Sequence, residues 1–523
     1  GCDPDEESRA AEPGLYLTAS TRIFALSADG GQRTVVIDTN CGEWKVTTDA
    51  AGWLSNRKEG NLLTITAGES LSTKAQTAVV TVSSIDDPSL TCEIRVMQYG
   101  TGATNLSALG TANCYMASTG ASYVFDASIK GNGLGDGNSE YIDKHGLLLD
   151  EGVAAELLWE AVFDADKTRS RDVIDGEPVY RNGRIWFTTG REQGNAVIAL
   201  RDFSGEIVWS WHIWVVTDEL FAKDQDYERQ EGEQTLIYRM MDRNLGANDP
   251  TGSGDKSRSC LYQWGRKDPF SNATTVYGPE GNTLDMHSWP SCEGYTIDPV
   301  WNAQIGRKSG DYLYNGTVEV TLSHPATYIS YADEKDISNP NQTWLRSDVL
   351  GHRNDRLWGT YFEKEAVGAA TVLLSKSAFD PCPAGYRIPL IAPLKFTGND
   401  VESYTTEGVW LYIDSQRSVK AWYPYAGSRF SKMDASGKQI GILGYTEGAL
   451  GLYQFSYAAS IWSATLEFVQ EISVGTSCNS DDLTVTGYSS TGYRPEFVYE
   501  GPYARSFALA VRCVREDANG IVR

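Results

Sequence analysis

The sequence predicts a mainly β, multidomain protein. At 523 residues the chain is too long for one ordinary hydrophobic core. Glycine and tyrosine are abundant, with 51 and 28 residues, and the apolar residues recur in short alternating runs separated by turn signals. These observations together favour a series of β-rich modules over one helical domain.

The charge of the chain argues against two classes of partner. Its 45 lysines and arginines against 69 aspartates and glutamates give a formal net charge of -24, which repels phosphate backbones and anionic lipid headgroups. We therefore expect no nucleic acid partner and no direct binding to a membrane surface. No apolar run approaches the roughly 18 residues needed to span a bilayer, so we expect membrane contact only through a lipid anchor.

The first residues indicate such an anchor. The start, GCDPDEES, resembles a bacterial lipoprotein whose signal has been processed at its cysteine, which implies a lipid on Cys2 and a location at the outer membrane, on the cell surface. An acidic cluster follows, as in the surface-export signal of Bacteroidetes lipoproteins: Asp3, Asp5, Glu6 and Glu7. We interpret residues 1–13 as a tether. The alternative is a disordered acidic terminus with an unrelated thiol.

Residues 14–100 predict a small antiparallel sandwich, because strand-like runs such as TVVIDT, LLTITA and AVVTVSS alternate with turn signals. Trp44 in CGEWKV, Trp53 after a short spacer and the ending VMQYG resemble the BACON family, the Bacteroidetes-associated carbohydrate-binding often N-terminal domain. We expect a spacer here, with both indoles in the core. Strand parity points Cys92 inward, which makes a pair with Cys41 plausible.

Residues 101–222 predict a second β-sandwich. The run AVIALRDFSGEIVWSWHIWVV indicates a hairpin. One face of its second strand is strongly apolar: Trp209, Trp211, Ile213 and Val215. His212, on the other face, is expected to be an ordinary solvent-facing or hydrogen-bonded strand residue. The segment resembles a domain of Bacteroidetes surface and fimbrial-tip proteins, and the acidic stretch KDQDYERQEGEQ, residues 223–234, is interpreted as a linker.

Residues 235–518 carry five motifs in order: MMDRNLGA, LYQWGRKDPF, DPCPAGYRIP, IWSATLE and SFALAVRCVRED. Together they resemble the FISUMP family, the major paralogous domain, which is similar in fold to C-type lectins. The resemblance implies an α+β domain with long loop insertions. The expected fold is therefore two Ig-like β-sandwiches followed by a C-type-lectin-like head, with residues 519–523 as a tail.

The stretch LYQWGRKDPF, residues 261–270, has two interpretations. In the family these motifs build the scaffold, so we assign the stretch to the framework. The alternative is a sugar or anion platform in which Tyr262 and Trp264 stack and Arg266 donates hydrogen bonds. Charged residues of the motifs are candidates for internal ion pairs, since buried arginines need carboxylate or carbonyl partners: Asp242, Arg243, Arg266, Asp268, Arg387 and Arg512.

A disulfide between Cys382 and Cys513 fits this scaffold. Cys513 lies on the apolar face of SFALAVRCV and should point into the core. Cys382 lies between two prolines in an extended segment. The bond would close a loop of about 130 residues and stabilise the fold by roughly 4 to 5 kcal/mol in the entropy model. The pairing of the remaining cysteines stays open.

Catalysis is not expected. Cys478 is alone in GTSCNSDD, although the resemblance to the sulfatase-modifying fold would require a redox-active cysteine pair. The patterns G-x-S-x-G, H-E-x-x-H and Walker A do not occur. We expect no enzyme, no cofactor and no metal. A glycan-processing enzyme is the third interpretation, because two carboxylates need only be close in space.

Recognition is expected in the long insert 271–375, because loops on a rigid scaffold often carry binding sites. Its aromatic side chains could contact the apolar face of a sugar while carboxylates and amides bind hydroxyls. The candidate ligand-binding residues are Trp289, Trp301, Asp311, Asn341, Trp344, Trp358 and Tyr361. The run DEKDISNPNQTW, residues 333–344, is also similar to the oxygen-rich proline loop of calcium-dependent C-type lectins, with an Asx-Pro turn as the alternative.

The expected function is a non-catalytic cell-surface adhesin or glycan-binding lipoprotein. Its sandwiches would present a lectin-like head to carbohydrate or to a host surface protein. The alternative is a structural tip or accessory subunit of a fimbria that binds other subunits. An adhesin should show an exposed aromatic cleft, and a structural subunit should show an edge strand or groove that is open to a partner.

Overall fold

The structure is mainly β, with several sheets, and divides into two compact units, residues 1–103 and 104–523. The computed structural model describes residues 14–50, 52–134, 139–162, 170–216, 223–251, 259–273, 275–284, 317–327, 344, 356–363, 370–405, 407–424, 426, 430–433, 439–443, 458–468, 483–491, 498–503 and 508–516. Neither of the helices in these ranges has the length and apolar character that a membrane span needs.

The first unit consists of two four-stranded sheets around one core, with strand orders β1-β3-β6-β5 and β2-β8-β7-β4. Its strands are β1 (Leu17–Ala19), β2 (Ile23–Leu26), β3 (Gly31–Thr39), β4 (Trp44–Thr48), β5 (Leu54–Glu59), β6 (Leu62–Ala67), β7 (Gln76–Ser84) and β8 (Thr91–Gln98).

Alternating side chains build this first core. In β6, Leu63, Ile65 and Ala67 are buried and the residues between them are more exposed, as the two-residue period of a strand requires. Cys41 and Cys92 are also buried in the core. Both are free thiols, so the pairing that seemed plausible from strand parity does not form.

The two tryptophans of this unit differ in their positions. Trp44 is buried, and Lys58 Nζ lies 4.2 Å from the centroid of its ring. Trp53 is half-buried and packs against the same core. Trp44 is therefore a core residue, whereas Trp53 covers the edge of the core.

The second unit begins with the elements of the predicted second sandwich. They are β9 (Thr104–Asn105), β10 (Cys114–Ser118), β11 (Ser122–Asp126), α1 (Glu140–His145), β12 (Ala154–Ala161), β13 (Ile174–Arg181), β14 (Arg184–Thr189), β15 (Gly194–Arg201) and β16 (Ile207–Val216).

The rest of the unit is built from shorter strands. They are β17 (Asp224–Glu231), β18 (Gln234–Met241), β19 (Tyr262–Gln263), β20 (Val276–Tyr277), β21 (Thr283–Leu284), α2 (Val318–Ser323), β22 (Thr360–Glu363), β23 (Ala370–Leu373), β24 (Tyr386–Arg387), β25 (Val401–Tyr404), β26 (Gly408–Tyr412), β27 (Lys420–Pro424), β28 (Phe430–Met433), β29 (Gln439–Leu443), β30 (Ala458–Phe468), β31 (Leu483–Thr491), β32 (Val498–Tyr503), β33 (Ala508–Leu509) and β34 (Val514–Arg515).

A six-stranded sheet of order β10-β16-β15-β12-β20-β21 and a four-stranded sheet of order β13-β14-β11-β9 form the centre of the second unit. Aromatic contacts join them: Phe125 of β11 lies 4.8 Å from Tyr115 and 5.2 Å from Trp211 between ring centroids. The hairpin predicted from the sequence is present, since β15 and β16 pair antiparallel.

Strand β16 is buried on both faces. The face predicted to be apolar is buried as expected: Trp209, Trp211, Ile213 and Val215. Groups from beyond residue 234 cover the other face, and three of these contacts are Lys267 Nζ to Ser210 Oγ (2.6 Å), Tyr262 Oη to His212 Nδ1 (3.1 Å) and Trp214 Nε1 to Ala247 O (3.1 Å). His212 is therefore the hydrogen-bonded strand residue of the two expected possibilities.

The segments 101–222 and 235–518 contribute to one continuous hydrophobic core. Strand β20 of the later segment extends the six-stranded sheet by pairing with β12. The acidic residues 223–234, expected to be a linker, instead form most of the antiparallel hairpin of β17 and β18. Tyr227 is fully buried while its charged neighbours are not, so a single inward side chain attaches an acidic strand to the core.

The remaining strands form small sheets that complete the second unit. Their orders are β17-β18-β34-β24, β19-β33, β22-β23, β25-β26-β27, β28-β29 and β30-β31-β32. The first of these brings the acidic hairpin beside the end of the chain, because β18 pairs with β34 and β34 pairs with β24.

Candidate functional site

The stretch LYQWGRKDPF belongs to the interior. All ten residues are buried. Arg266 Nη1 donates to Gln263 Oε1 at 2.8 Å and to the Thr327 carbonyl at 2.7 Å. Aromatic rings and cations of this stretch are therefore held within the framework and form no exposed platform.

The residues predicted to form internal ion pairs are buried, but their partners differ. Arg243 and Asp268 have carboxylate or ammonium partners within the described chain, namely Asp242 and Lys267. Arg387 and Arg512 instead donate to carbonyl and amide oxygens, as in Arg387 Nη1 to Leu374 O (2.7 Å) and Arg512 Nε to Asn244 Oδ1 (2.9 Å). Neutral oxygens can satisfy a buried guanidinium because its donors are spread over a planar fork.

The predicted ligand-binding residues are not gathered into a site. Trp344 and Trp358 are 1% and 0% exposed, and their indole N–H groups donate to the carbonyls of Trp264 (2.7 Å) and Arg266 (3.3 Å). These two are core residues, which corrects the expectation that they offer a face to ligand. Tyr361 belongs to β22, but its side chain is outside what the structure describes. Also outside the described residues are Cys2, Trp289, Trp301, Asp311, Asn341 and most of the run 333–344.

The disulfide between Cys382 and Cys513 is confirmed, with the two Cα atoms 6.0 Å apart and a sequence separation of 131. Asp380 fixes the segment around Cys382, since its carboxylate accepts the N–H groups of Cys382 (2.8 Å) and Ile388 (2.9 Å). Asn113, just before β10, donates from Nδ2 to the carbonyls of Ala378 (2.7 Å) and Asp380 (2.9 Å). The disulfide-linked segment is thereby held against the start of β10.

A cleft of about 380 Å3 lies where these two segments meet. Its apolar lining includes Leu106, Leu109, Met116, Trp214, Met241 and Pro383. Its polar lining consists of Lys223, Asp224, Asp242, Arg243, Tyr386 and Arg515. The volume is at the lower end of the range of small-molecule sites, about 300 to 1,000 Å3.

The backbone of β10 is open toward this cleft. β10 pairs with β16 in a parallel ladder, and the Asn113 carbonyl accepts the His212 N–H at 2.8 Å. Alternate residues of a parallel strand direct their backbone groups to one neighbour, so those of Cys114 and Met116 point away from β16. Within the described part of the chain, no hydrogen-bond partner meets these groups. The cleft is lined by all of 114–116 and so follows the strand edge.

Side chains close both ends of this open edge. Before it, the Ala112 N–H donates to the Tyr115 hydroxyl at 3.3 Å. After it, the Ser118 N–H donates to Tyr123 Oη at 2.8 Å, and the Ser118 carbonyl accepts from Thr189 Oγ1 at 2.6 Å. Within the described chain, Cys114 and Met116 are the residues whose backbone groups stay unpaired on this side, and Cys114 is 0% exposed, whereas strands usually run about three to ten residues. The edge is short for an added strand and sufficient for a compact ligand.

One half of the polar lining is organised around Asp224. Its carboxylate accepts the Tyr386 hydroxyl at 2.6 Å and Arg515 Nε at 2.5 Å. The Arg515 guanidinium lies 4.6 Å from the centroid of the Tyr386 ring. Burial and the hydrogen bond to Asp224 raise the pKa of Tyr386 above its usual range, so this hydroxyl remains a neutral donor at physiological pH.

The other half is a pair of adjacent residues. Arg243 donates from Nε to Asp242 Oδ1 at 2.8 Å and from Nη2 to Oδ2 at 2.9 Å. Its Nη1 donates to the Asn248 carbonyl at 3.0 Å. This two-bond geometry fixes both groups, as is usual for an arginine and a carboxylate.

Each carboxylate of the polar lining is paired with an arginine, Asp224 with Arg515 and Asp242 with Arg243. Burial raises the pKa of the Cys114 thiol far above its usual value, which removes it as a nucleophile. Among the described residues there is no cluster of three or more side chains that could hold a metal ion.

The cleft lies outside the insert where the sequence predicts recognition. Four of the six polar lining residues lie in quoted motifs, Asp242 and Arg243 in MMDRNLGA, Tyr386 in DPCPAGYRIP and Arg515 in SFALAVRCVRED, and the other two, Lys223 and Asp224, lie in the predicted linker. A weak signal existed, because the motifs combine cations, acids and aromatics. Their meeting depends on the β18-β34-β24 pairings, which join segments more than a hundred residues apart.

Comparisons with known proteins leave the family open. No family model and no curated protein matches the chain. A Bacteroides ovatus GH5 xyloglucanase in complex with a XXXG heptasaccharide is similar over 20% of this chain and 27% of that one, with 25% identity and a TM-score of 0.15. A protein from Bacteroides thetaiotaomicron is similar over 19% of this chain and 98% of its own, with 15% identity and a TM-score of 0.14.

A third similar structure is the N-terminal Ig1-2 module of the Drosophila receptor protein tyrosine phosphatase DLAR. It covers 38% of this chain and 98% of its own, with 8% identity and a TM-score of 0.16. At TM-scores this low, none of the three similarities carries an argument about function. The chain spans well under two thirds of the length of the xyloglucanase.

Proposed function

We propose that this chain is a non-catalytic cell-surface adhesin that binds carbohydrate in the cleft beside β10. In this proposal a lipid on Cys2 holds the chain at the outer membrane, and the first unit is a spacer. The observation that carries the proposal is the meeting of an open backbone edge with a fixed polar lining. The backbone of Met116, which is half-buried and has no partner on this side within the described chain, lies in the same cleft as the Asp224, Tyr386 and Arg515 cluster.

The lining suits a sugar because it is amphipathic. A pyranose has apolar C–H faces and a rim of hydroxyls that both donate and accept. The cleft offers apolar contacts from residues such as Leu106 and Met116, and it offers carboxylate acceptors together with arginine and tyrosine donors. Few, well-placed polar groups among apolar ones are typical of small-molecule sites.

A structural fimbrial subunit is the second candidate, and the open edge of β10 is the observation in its favour. A partner strand could pair with that edge, as peptides do when they extend a sheet. The edge offers two outward residues, Cys114 and Met116, before the hydroxyls of Tyr115 and Tyr123 close it. For that reason we place the compact ligand first.

The test is a glycan array probed with the full chain, followed by titration of the best glycan. Ala384 lines the cleft and is half-buried, so Ala384→Trp should fill the cleft and abolish binding. Leu71 in the first unit is 99% exposed, so Leu71→Trp is the matched control and should bind like the parent chain.

The outcomes separate the candidates. Saturable binding that Ala384→Trp removes and Leu71→Trp keeps would support the proposal. Glycan binding that survives in Ala384→Trp would place the site outside the cleft. An array without any binding, together with capture of a purified fimbrial subunit that Ala384→Trp abolishes, would favour the structural role. Repeating the array with a chelator tests the calcium loop predicted at 333–344.

A further inference from the structure

The cleft carries an excess of positive charge in an acidic protein. Its lining holds three cationic side chains, Lys223, Arg243 and Arg515, and two carboxylates, Asp224 and Asp242. The whole chain has a formal charge of -24. In a chain this acidic, charged residues placed at random would give the cleft a negative lining. An excess of positive charge therefore points to an anionic ligand more strongly than it would in a neutral protein.

Arg515 is held in place by Asp224 and has further N–H donors that can bind a ligand. Its Nε–H is used by Asp224, and its guanidinium lies over the ring of Tyr386. A guanidinium has five N–H donors, and within the described chain Asp224 is the only carboxylate that forms an ion pair with it. Arg515 can therefore receive a second acidic group without losing the first.

Lys223 provides a charge that has no ion-pair partner among the described residues. It is exposed and lines the cleft, and no described residue forms a salt bridge with it. It immediately precedes Asp224, which is the acceptor for Arg515. Arg515 is fixed by Asp224, and the Lys223 ammonium is carried on a flexible four-carbon chain. The two cations can therefore approach one ligand group from different sides.

A carboxylate satisfies both cations better than a hydroxyl does. Hydrogen bonds to an ionised acceptor are shorter and about twice as strong as neutral ones. Arg243 is paired with Asp242 through two hydrogen bonds and Arg515 with Asp224 through one. The uncompensated charge therefore lies with Lys223, while Arg515 adds N–H donors beyond the one that Asp224 uses. Resting on the carbohydrate-binding function proposed above, we propose that the cleft selects a sugar that carries a carboxylate, of the sialic acid or uronic acid class.

An acidic peptide is the competing ligand, and the cleft favours the sugar over it. An extended peptide gains affinity by pairing with a strand edge, but the edge of β10 is closed beyond Cys114 and Met116. A volume of about 380 Å3 is suited to one or two rings. The backbone groups of the half-buried Met116 would then bind a hydroxyl or N-acetyl group of the same sugar.

The test compares the binding of each acidic sugar with that of its uncharged methyl ester. The full chain is titrated calorimetrically with N-acetylneuraminic acid and glucuronic acid, and with the methyl ester of each. We expect each acid to bind at least about tenfold more tightly than its ester, because a hydrogen bond to a charged group contributes about 1.5 to 3 kcal/mol. The ratio should fall as sodium chloride rises from about 50 to 500 mM, since salt screens the exposed Lys223.

Two variants locate the effect. Lys223→Gln should lower the affinity for the acids about threefold to tenfold and leave the esters unchanged, because this lysine is exposed and has no structural partner among the described residues. Lys144→Gln, which removes an exposed lysine of α1 outside the cleft, is the control and should change neither. Arg515→Lys keeps the charge, and should lose more affinity for the acids than Lys223→Gln does because it removes the planar fork.

Each result has one meaning. Acids that bind more tightly than esters, with the difference reduced in Lys223→Gln, would support the inference. Equal binding of acids and esters would overturn the acidic preference and leave the carbohydrate function intact. Binding of an acetylated Asp-Glu-Asp-Glu peptide without binding of any sugar would overturn both.

Discussion

Lys267 and Lys223 are the same type of residue in opposite surroundings, and they represent two regions of the second unit. Lys267 is buried, and its ammonium donates to the Ser210 carbonyl (2.9 Å), Ser210 Oγ (2.6 Å) and Asp268 Oδ1 (2.7 Å). An ammonium has three donors, so this one is fully satisfied. Lys223 is exposed at the cleft and has no salt bridge among the described residues.

Residue type alone does not distinguish a structural cluster from a binding site. The buried ion cluster of Ser210, Lys267 and Asp268 and the polar lining of the cleft both combine cations, acids and neighbouring aromatic rings. They differ in whether donors and acceptors are matched within the protein. A cluster with every donor matched stabilises the fold, and one with unmatched cations beside unpaired backbone is available to a ligand.

The largest expected effect comes from the disulfide, which stabilises the fold and borders the cleft. Replacing both Cys382 and Cys513 by alanine should lower the free energy of unfolding by about 5 kcal/mol, because the bond closes a loop of 131 residues. Sugar affinity should fall as well, since Pro383 and Ala384 of the cleft lie directly after Cys382. Urea denaturation and the glycan titration measure the two effects.

Reduction of the parent chain is the control for this change, and it should reproduce both effects without altering the sequence. If the double variant unfolded at the same urea concentration as the parent and bound sugar equally well, the disulfide would be dispensable to both regions. The cleft would then owe its shape to the hydrogen bonds of Asn113 and Asp380 alone.

The buried ion cluster gives the next effect. Asp268→Ala leaves Lys267 buried without its carboxylate, and removing one partner of a buried pair typically costs about 3 to 5 kcal/mol. Asp226→Ala removes one partner of a pair with Arg239 in which the side chains are 56% and 50% exposed, and should cost about 1 kcal/mol or less. Both variants are compared by urea denaturation, and neither should change sugar affinity.

Sugar affinity is measured at a urea concentration at which the parent and Asp268→Ala are both folded. A loss of affinity in the variant would contradict the separation of the two regions. It would mean that the buried ion cluster and the cleft are coupled. Strand β16 could carry such coupling directly, because it contributes Ser210 to the cluster and Trp214 to the cleft.

Local pattern predicted part of this architecture, and long-range pairing determined the rest. The hairpin of β15 and β16, its buried face and the position of Cys513 follow from a two-residue period within a few residues. The cleft does not, because Asp224, Tyr386 and Arg515 meet only when β34 pairs with β18 and β24. The charged run of β17 predicts a linker rather than a strand, because one inward residue, Tyr227, is too weak a pattern in a charged segment.

A buried histidine should make the framework sensitive to pH. His212 bonds Asn195 Oδ1 through Nε2 at 2.8 Å and the Tyr262 hydroxyl through Nδ1 at 3.1 Å. Burial lowers the pKa of His212 to about 3, whereas the unfolded value is about 6.5. Between these values the unfolded chain binds a proton that the folded chain does not. The free energy of unfolding should therefore fall with decreasing pH below about 6.5, by up to about 1.4 kcal/mol per pH unit.

His212→Gln removes this titration and should flatten the pH dependence between pH 4 and 7 relative to the parent. Leu71→Gln is the control, because Leu71 is 99% exposed and neither side chain titrates. The measurement is the free energy of unfolding from urea denaturation at each pH. A slope that is the same in His212→Gln and the parent would show that folding does not lower the pKa of His212.

The smallest effect tests the insert, where the sequence analysis placed ligand binding. Trp344→Phe removes the indole N–H that bonds the Trp264 carbonyl at 2.7 Å and leaves that acceptor buried, at a cost of about 1 to 3 kcal/mol. Trp410→Phe changes a half-buried indole on a sheet surface and should cost less. Sugar affinity should be unchanged in both, because neither residue lines the cleft. If Trp344→Phe lost sugar binding while its free energy of unfolding stayed that of the parent, Trp344 would contact ligand directly, and recognition would belong to the insert rather than to β10.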